Sequence, residues 1–524
     1  MGTANQHRLL LVSAAVLCLL PFLGKAFHID DPLFLWAGQH IQADPWNFYA
    51  FDVNWYGLVR PMSQVMKNPP LTAYYIALAA NVLGWSERGL HLAFLIPAGI
   101  AVIGVYRLTG LFCARPFLAT LIAIVTPAFL VSATTVMSDI PMLAFWVWAL
   151  ALWVEGMDEN SLAKIALAAF LASLAVLTKY SALFLFPLLV AYAVYRKRFR
   201  LATLGMSIPL VTLILYQYAT YCMYGHGLLL DSVNYVPTGE RHYWASALSG
   251  VTFLGGGLLA GLVWAPVLWT RRQWIQRACA LFLFGGVLLL WNSFPYFPFR
   301  TEMGIRWPIL FQVSLFLLAG LELILWSTQE WFFAVWLFSI LAFTCLFNWA
   351  VNCRSILPLA PLAGILITKQ LGDFKRIWIP FALQVALSLW VTFADFNIAN
   401  LDKVAAERLK HELREEVHPV WFQGHWGFQY YMQKLGFLPI DFSDVAKIRR
   451  GTWVITPIPN TNTQELPPDR FHLVGRIQLP LEGRLTTNDW RVGSGFYSNA
   501  FGPLPFVVGY APAHEFILEQ CTRN

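Results

Sequence analysis

Charge is scarce in this chain. Asp, Glu, Lys and Arg together make up only 12% of its 524 residues, whereas soluble domains carry about 25%. Hydrophobic residues reach 58%, and the mean hydropathy is +0.56. Because so few charges cannot cover a water-exposed surface, the composition excludes an ordinary soluble domain. It indicates an integral membrane protein.

Cysteine motifs and internal repeats are also lacking. The seven cysteines are scattered, with no CxxC pair and no histidine at metal-ligand spacing, which argues against a zinc site. No repeat or low-complexity tract is evident. Since secondary transporters tend to contain structural repeats, this absence disfavours that class.

The net charge of +7 does not indicate a nucleic-acid partner. Lys and Arg stand mostly in short clusters between apolar runs, such as residues 195–200 and 269–277. Such clusters are typical of cytoplasmic loops in membrane proteins. We therefore interpret the basic residues as topology signals and expect no nucleic acid.

Apolar runs of near-spanning length occur thirteen times. They lie at about 9–24, 88–106, 117–134, 140–154, 161–177, 181–195, 201–220, 251–269, 278–292, 308–326, 331–349, 355–369 and 377–394. Several are shorter than the roughly 20 residues of an upright span. A fourteenth run, 71–84, is shorter still, and we interpret it as an interfacial helix. Leaving it out places the basic clusters on the side of the N-terminus, as the positive-inside rule requires.

This threading predicts an all-α polytopic membrane domain of about 13 transmembrane helices over residues 1–394. The first run resembles a signal peptide but has no clear cleavage site, so we expect an uncleaved first span with a cytoplasmic N-terminus. The first outer loop, 25–70, then faces outward, as do 221–250 and 292–307. Residues 395–524 have a mixed composition with helix-like and strand-like stretches, and we expect a small C-terminal α/β extracytoplasmic domain.

Three aspartates lie at the predicted outer face. Asp30 and Asp31 follow the first run, and Asp139 lies near the start of the fourth. Ionisable groups at a bilayer tend to mark function. The ordinary alternative is helix capping, by Asp31 before Pro32 and by Ser138 or Asp139 at the next helix. A cap formed by Asp31 would not require Asp30, so capping does not explain the second acid of the pair.

Three cations also lie at outward helix ends, against the positive-inside bias: Lys179, Arg306 and Arg354. Any one of them could be an ordinary snorkelling side chain. Together they indicate an anionic ligand such as a phosphate.

Carboxylates facing cations at a lipid–water boundary suit glycosyl transfer from a lipid phosphate sugar. A base takes the proton of the acceptor hydroxyl while fixed positive charge stabilises the departing phosphate. An adjacent second carboxylate could instead hold a divalent ion.

Five short motifs occur in an order that is more specific than any of them alone. They are the acid pair 30–31, KNPPLTAYYIAL (67–78), MSDIPM (137–142), LTKYSAL (177–183) and RSILPLAPL (354–362). In this order the chain resembles the bacterial membrane glycosyltransferases of the dolichyl-phosphate-mannose protein mannosyltransferase family, which includes the lipid A aminoarabinose transferase.

The resemblance implies a GT-C fold in the inner (plasma) membrane. It implies inverting transfer of a hexosyl or pentosyl group from a polyprenyl-phosphate sugar to an envelope lipid, glycan or protein outside the cytoplasm.

It also implies roles for residues. Asp30 would be the catalytic carboxylate, Asp31 and Asp139 would support the acceptor or a metal, and Lys179 and Arg354 would contact the lipid phosphate. On the charge argument we add Arg306 to the phosphate-binding residues. No cofactor is certain, and a divalent cation such as Mg²⁺ or Mn²⁺ stays open.

A membrane scaffold that works through its outward C-terminal domain is one alternative, and it would need neither the aspartates nor the outer cations. Two further alternatives remain at this point. One is a transporter or flippase of a lipid-linked or envelope substrate, although its charges would be expected near the membrane midplane rather than at helix ends. The other concerns the aromatic stretch 420–436. Its residues Trp421, His425, Trp426 and Tyr430 could stack on sugars, but such a stretch is more often the core of a small domain.

Overall fold

The computed structural model describes residues 2–235, 242–291, 297–372, 376–414 and 419–523. Helices dominate these ranges. The α-helices are α1 (Gly2–Leu19), α2 (Asp31–Ala43), α3 (Met62–Val65), α4 (Leu71–Leu83), α5 (Glu87–Phe112), α6 (Pro116–Ile124), α7 (Pro127–Ala133), α8 (Asp139–Glu159), α9 (Leu162–Thr178), α10 (Phe186–Tyr195), α11 (Phe199–Tyr224), α12 (Leu228–Val233), α13 (Tyr243–Leu258), α14 (Ala265–Leu268), α15 (Arg271–Trp291), α16 (Trp307–Ser327), α17 (Trp331–Ala342), α18 (Ala360–Gln370), α19 (Trp378–Glu412) and α20 (Trp426–Lys434).

Strands are short and lie mostly near the C-terminus. They are β1 (Asp52–Asn54), β2 (Val59–Pro61), β3 (Arg300–Thr301), β4 (Gly304–Ile305), β5 (Trp421–Phe422), β6 (Leu438–Pro439), β7 (Trp453–Ile458), β8 (Phe471–Leu479), β9 (Leu485–Thr486), β10 (Asn488–Asp489), β11 (Ser494–Gly495), β12 (Val507–Val508) and β13 (His514–Cys521). Five of them form one mixed sheet in the order β6-β5-β7-β13-β8. In it β5 runs parallel to β6 and β7, and β13 runs antiparallel to β7 and β8.

Within the described residues, seven helices are long and apolar enough to cross a membrane. They are Ala4–Phe22, Glu87–Phe112, Asp139–Glu159, Phe199–Tyr224, Arg271–Trp291, Trp307–Ser327 and Trp378–Glu412. Two bent pairs, α6 with α7 and α13 with 260–268, raise the number to nine if each is one span. Their bends are 62° and 65°. The predicted number of thirteen is therefore not confirmed, although most described residues of each predicted apolar run lie in helical segments.

The run at 71–84 forms the short helix predicted there. Helix α4 has 13 residues and ends at Gly84, whose φ of 76° lies in the left-handed region. Glycine adopts that conformation without a Cβ clash, which stops the helix. At about 20 Å, this helix is too short to span an average bilayer upright.

Helix α19 runs across the predicted boundary between the membrane domain, 1–394, and the C-terminal domain. It is one continuous helix of 35 residues, because no Pro or Gly interrupts the sequence between 381 and 412. At about 1.5 Å per residue it is roughly 52 Å long, well beyond a hydrocarbon core of about 30 Å. The predicted boundary after residue 394 thus falls inside a helix.

The C-terminal segment packs tightly against the first outer loop. A Cβ placed on Gly427, at the start of α20, would lie 2.2 Å from the carbonyl oxygen of Phe27. Only glycine permits this approach of two backbones. The Phe27 amide donates a hydrogen bond to the Tyr431 hydroxyl oxygen at 2.9 Å, and that hydroxyl donates to Glu87 Oε1 at 2.9 Å. These contacts fix the chain just before Asp30.

Candidate active site

Four charged side chains from distant parts of the chain meet in one cluster. The Lys179 Nζ lies 2.5 Å from Asp139 Oδ1. The Arg354 guanidinium bridges two acids, with Nη2 at 3.2 Å from Asp30 Oδ2 and Nη1 at 3.6 Å from Asp139 Oδ2. The structure therefore brings together four of the six residues singled out from the sequence.

Each of these side chains stands where a helix begins or ends. Asp139 is the first residue of α8, and Lys179 follows the last residue of α9 in an extended conformation. Arg354 lies in a 3₁₀ segment, Cys353–Leu359, which Asn352 caps by accepting a hydrogen bond from the Ser355 amide at 2.8 Å. At Asp139 the capping alternative is not observed, because the cap position belongs to Ser138, whose side chain makes no capping bond.

The cluster opens into a cavity of about 140 Å³. Its charged lining residues, among those described, are Asp30, Lys67, Lys179 and Arg354, and its aromatic ones include Phe34, Tyr180, Tyr235, Phe343, Phe347 and Trp349. The Asp30 side chain is 32% exposed, whereas that of Asp139 is 1% exposed. Asp30 is thus the acid that a bound molecule can reach. Asp139 serves as a buried counter-ion.

Lys67 is a cavity residue that sequence reasoning did not single out. It pairs with Asp231 and lies 5.2 Å from the centre of the Tyr235 ring. The residue opens the KNPP motif, but a single lysine in an outer loop is usually solvated, so the motif alone gave no reason to choose it. The cavity cations Lys67, Lys179 and Arg354 are paired with three acids, Asp231, Asp139 and Asp30. A bound anion must therefore compete with a carboxylate for each cation.

Asp31 is held by backbone donors and does not line this cavity. Its Oδ2 accepts from the His28 amide at 2.8 Å, and its Oδ1 accepts from the Val136 amide at 3.0 Å. Complete burial raises the pKa of Asp31 to about 6, although both donors and the charge of Lys25 lower it. The carboxylate therefore joins the first outer loop to the loop before α8. It does not cap α2.

No metal centre is evident in the part of the chain that the structure describes. There, no three His, Cys, Asp or Glu side chains come together in a way that could hold a metal ion. As a metal ligand, Asp31 would have to give up two hydrogen bonds, and Asp139 would have to leave two cations. Metal support by these aspartates stays a prediction.

Arg306 lies apart from the cluster. It precedes α16, and its guanidinium carbon lies 4.4 Å from the centre of the Phe297 ring. It is not among the residues that line the cavity. A cation over an aromatic face already has a favourable partner, so no contact supports the predicted phosphate-binding role of Arg306.

A second buried ion pair lies behind the cluster, and the sequence did not predict it. The Lys25 Nζ is 2.5 Å from Asp395 Oδ2, and neither side chain is exposed to solvent. The carboxylate also accepts from the Thr487 hydroxyl at 3.0 Å and from the Tyr497 hydroxyl at 2.8 Å. Each charge borders an apolar run, and this position could have drawn attention to it. The sequence contains no signal that pairs the two residues across 370 positions.

The aromatic stretch 420–436 forms packing contacts. His425 is buried, contacts Trp55 edge-on with ring centres 4.7 Å apart, and shares a hydrogen bond with Thr461. Burial lowers the pKa of His425 to about 3, so the ring is neutral at pH 7. Tyr430 packs on Phe27 at 5.4 Å. The stretch therefore builds the interface between the C-terminal segment and the first outer loop.

Comparison with known proteins gives one family. The family described as dolichyl-phosphate-mannose-protein mannosyltransferase matches residues 67–224. These residues include Asp139 and Lys179 of the cluster and the cavity residue Lys67. The resemblance found in the sequence motifs is thus confirmed over this part of the chain. No curated protein matches the chain.

Solved structures give distant likenesses. One is the crystal structure of ArnT from Cupriavidus metallidurans bound to undecaprenyl phosphate, at 13% identity and a TM-score of 0.46, covering 86% of this chain and 93% of that one. Another is the archaeal oligosaccharyltransferase AglB from Archaeoglobus fulgidus, in complex with an inhibitory peptide and a dolichol-phosphate. It has 13% identity and a TM-score of 0.47, covering 86% of this chain and 69% of that one.

Proposed function

We propose that this chain is an integral membrane glycosyltransferase. It moves a sugar from a polyprenyl-phosphate donor to an acceptor hydroxyl on an envelope lipid, glycan or protein at the outer face of the membrane, with inversion. The observation that carries the proposal is the cavity in which a reachable carboxylate, Asp30, lies beside the cations Lys67, Lys179 and Arg354.

These residues suit the two halves of the reaction. Asp30 takes the proton of the acceptor hydroxyl, whose oxygen forms a bond to the anomeric carbon of the sugar. The bond from that carbon to the phosphate oxygen breaks on the opposite face, and the phosphate leaves with the electron pair. Arg354 and Lys179 stabilise the departing charge, which is the interaction that accelerates such a step. Asp139 keeps both cations in place.

An apolar groove beside the cavity supports an amphiphilic donor. It has a volume of about 350 Å³ and is lined by Leu71, Thr72, Tyr74, Tyr75, Leu78, Ile96, Pro97, Ile100, Pro141, Ala144, Phe145 and Thr178. Thr178 of the groove adjoins Lys179 of the cavity, and Pro141 is two residues from Asp139. The two compartments therefore border the same helix ends, as a phosphate head joined to a hydrocarbon tail requires.

The proposal also includes thirteen spans in the inner membrane of the cell. In this orientation the candidate site and residues 395–524 lie outside the cytoplasm. Labelling of introduced cysteines tests this orientation, in a background where the exposed Cys222 and Cys279 are serine. A cysteine at Trp46 or Met303, both exposed, should react from outside. One at the exposed Lys197 should not.

The catalytic assignment is tested in two steps. Lipid-linked and envelope glycans compared with and without the protein identify the sugar that it transfers. Purified Asp30→Asn, with the authentic donor in liposomes, should then lose roughly 10²- to 10⁴-fold in turnover, the usual contribution of a positioned base. Asp52→Asn is the matched control, because Asp52 is an exposed acid of the same loop outside the cavity. Normal turnover by Asp30→Asn would refute its role as the base.

A further inference from the structure

The ring of Tyr497 lies against the central cation of the candidate site. The Arg354 guanidinium carbon is 5.2 Å from the centre of the Tyr497 ring. Tyr497 is 3% exposed, and the Arg354 side chain is 9% exposed. A cation–π contact stabilises most when both groups are shielded from water. The burial of Tyr497 and Arg354 therefore strengthens this contact.

The far end of the same ring is anchored by the second ion pair. The Tyr497 hydroxyl donates to Asp395 Oδ2 at 2.8 Å, and that carboxylate is in turn fixed by Lys25 and Thr487. With its hydroxyl held at one end, the ring cannot turn away from the guanidinium without breaking a buried hydrogen bond.

Backbone hydrogen bonds join the segment around Arg354 to the segment around Tyr497 on both sides of the contact between these two residues. The Cys353 amide donates to the Phe496 carbonyl at 2.8 Å, and the Asn499 amide donates to the Val351 carbonyl at 2.8 Å. The Val351 amide donates to Asn499 Oδ1 at 2.9 Å. The chain around Tyr497 is therefore paired with the chain around Arg354, so that the C-terminal segment completes the wall of the site.

We propose that Tyr497 is a positioning residue for Arg354: its ring holds the guanidinium in the orientation in which it contacts Asp30 and Asp139 and can receive a ligand phosphate. This inference rests on the proposed function, since it assigns the phosphate to Arg354. Tyr497 itself touches no reacting atom. It acts through the arginine.

Binding of undecaprenyl phosphate to the purified full-length protein tests the inference. Tyr497→Leu removes the aromatic face and should weaken binding by roughly 2- to 30-fold, the range that cation–π contacts span. Tyr497→Phe keeps the face but removes the hydrogen bond to Asp395, so it should retain most of the affinity while melting at a lower temperature. A residue that only stabilised the fold would not separate affinity from melting temperature in this way.

The matched control is Phe506→Leu. Phe506 is a buried ring of the same C-terminal segment and packs on Phe316 of α16, with ring centres 5.1 Å apart, away from Arg354. The Phe506→Leu protein should lose stability and keep its affinity for undecaprenyl phosphate.

Three outcomes would overturn the inference: wild-type affinity in Tyr497→Leu, equal losses in Tyr497→Leu and Tyr497→Phe, or an equal loss in Phe506→Leu. Failure of the proposed function looks different, because the wild-type protein itself would then bind no undecaprenyl phosphate. That result would overturn the role of the ring as well.

Discussion

The buried pair of Lys25 and Asp395 allows a sharp test of the packing between the first outer loop and α19. Both side chains are fully buried and lie 2.5 Å apart. Removing one partner from a buried pair leaves an uncompensated charge, which costs about 3–5 kcal/mol. We therefore expect Lys25→Met or Asp395→Asn to lower the free energy of unfolding by about that amount.

The double variant decides whether the cost comes from the pair. If the lone charge is what destabilises the single variants, the double variant should be more stable than the sum of the two losses predicts, by about 0.5–3 kcal/mol. Unfolding in mixed micelles titrated with dodecyl sulfate and followed by tryptophan fluorescence would measure each free energy. Arg408→Met breaks the exposed pair with Glu412 and should change little, because exposed pairs contribute little. Strictly additive losses at Lys25 and Asp395 would refute the reasoning.

Two further variants test the site and the loop beside it. Arg354→Lys should lower kcat with the identified donor roughly 10²-fold, because one ammonium cannot bridge Asp30 and Asp139 as a planar fork does. Unchanged kcat would contradict that role. For Asp31, whose pKa is raised by burial to about 6, the folded state binds the proton more tightly than the unfolded state. The stabilisation by this group is complete below about pH 4 and is lost as pH rises through 6. Relative to Asp31→Asn, wild-type unfolding free energy should therefore fall by about 2–3 kcal/mol between pH 4 and pH 7, and parallel pH profiles of the two proteins would contradict the assignment.

Sequence patterns were sufficient for the elements and for part of the site. Apolar runs gave the helices because burial in lipid or in other helices requires such runs. The strand-like stretches expected within residues 395–524 correspond to β7 and β8, whose β-branched and apolar residues favour strands. Asp30, Asp139, Lys179 and Arg354 could be chosen because charges at the ends of apolar runs are rare and costly.

The remaining features depend on contacts between distant segments. Lys25 and Asp395 are separated by 370 positions, and the residues around each of them do not indicate that the two form an ion pair. Tyr497 could not be chosen because it lies in a segment of ordinary composition, and only the docking of that segment brings its ring to Arg354. Similarly, the charge argument that joined Arg306 to the other cations did not include Phe297, which lies beneath its guanidinium.

The shared position of Arg354 has a consequence for the order of events under the proposed function. One guanidinium serves both Asp30 and Asp139, and its nitrogen 3.2 Å from Asp30 Oδ2 is the one nearest the reachable acid. A donor phosphate that binds this nitrogen displaces Asp30, since both are anions competing for the same donor. Donor binding thereby frees the carboxylate oxygen that the acceptor hydroxyl needs. The cation that holds the leaving group and the acid that takes the proton are thus coupled through a single side chain, which Tyr497 holds from behind.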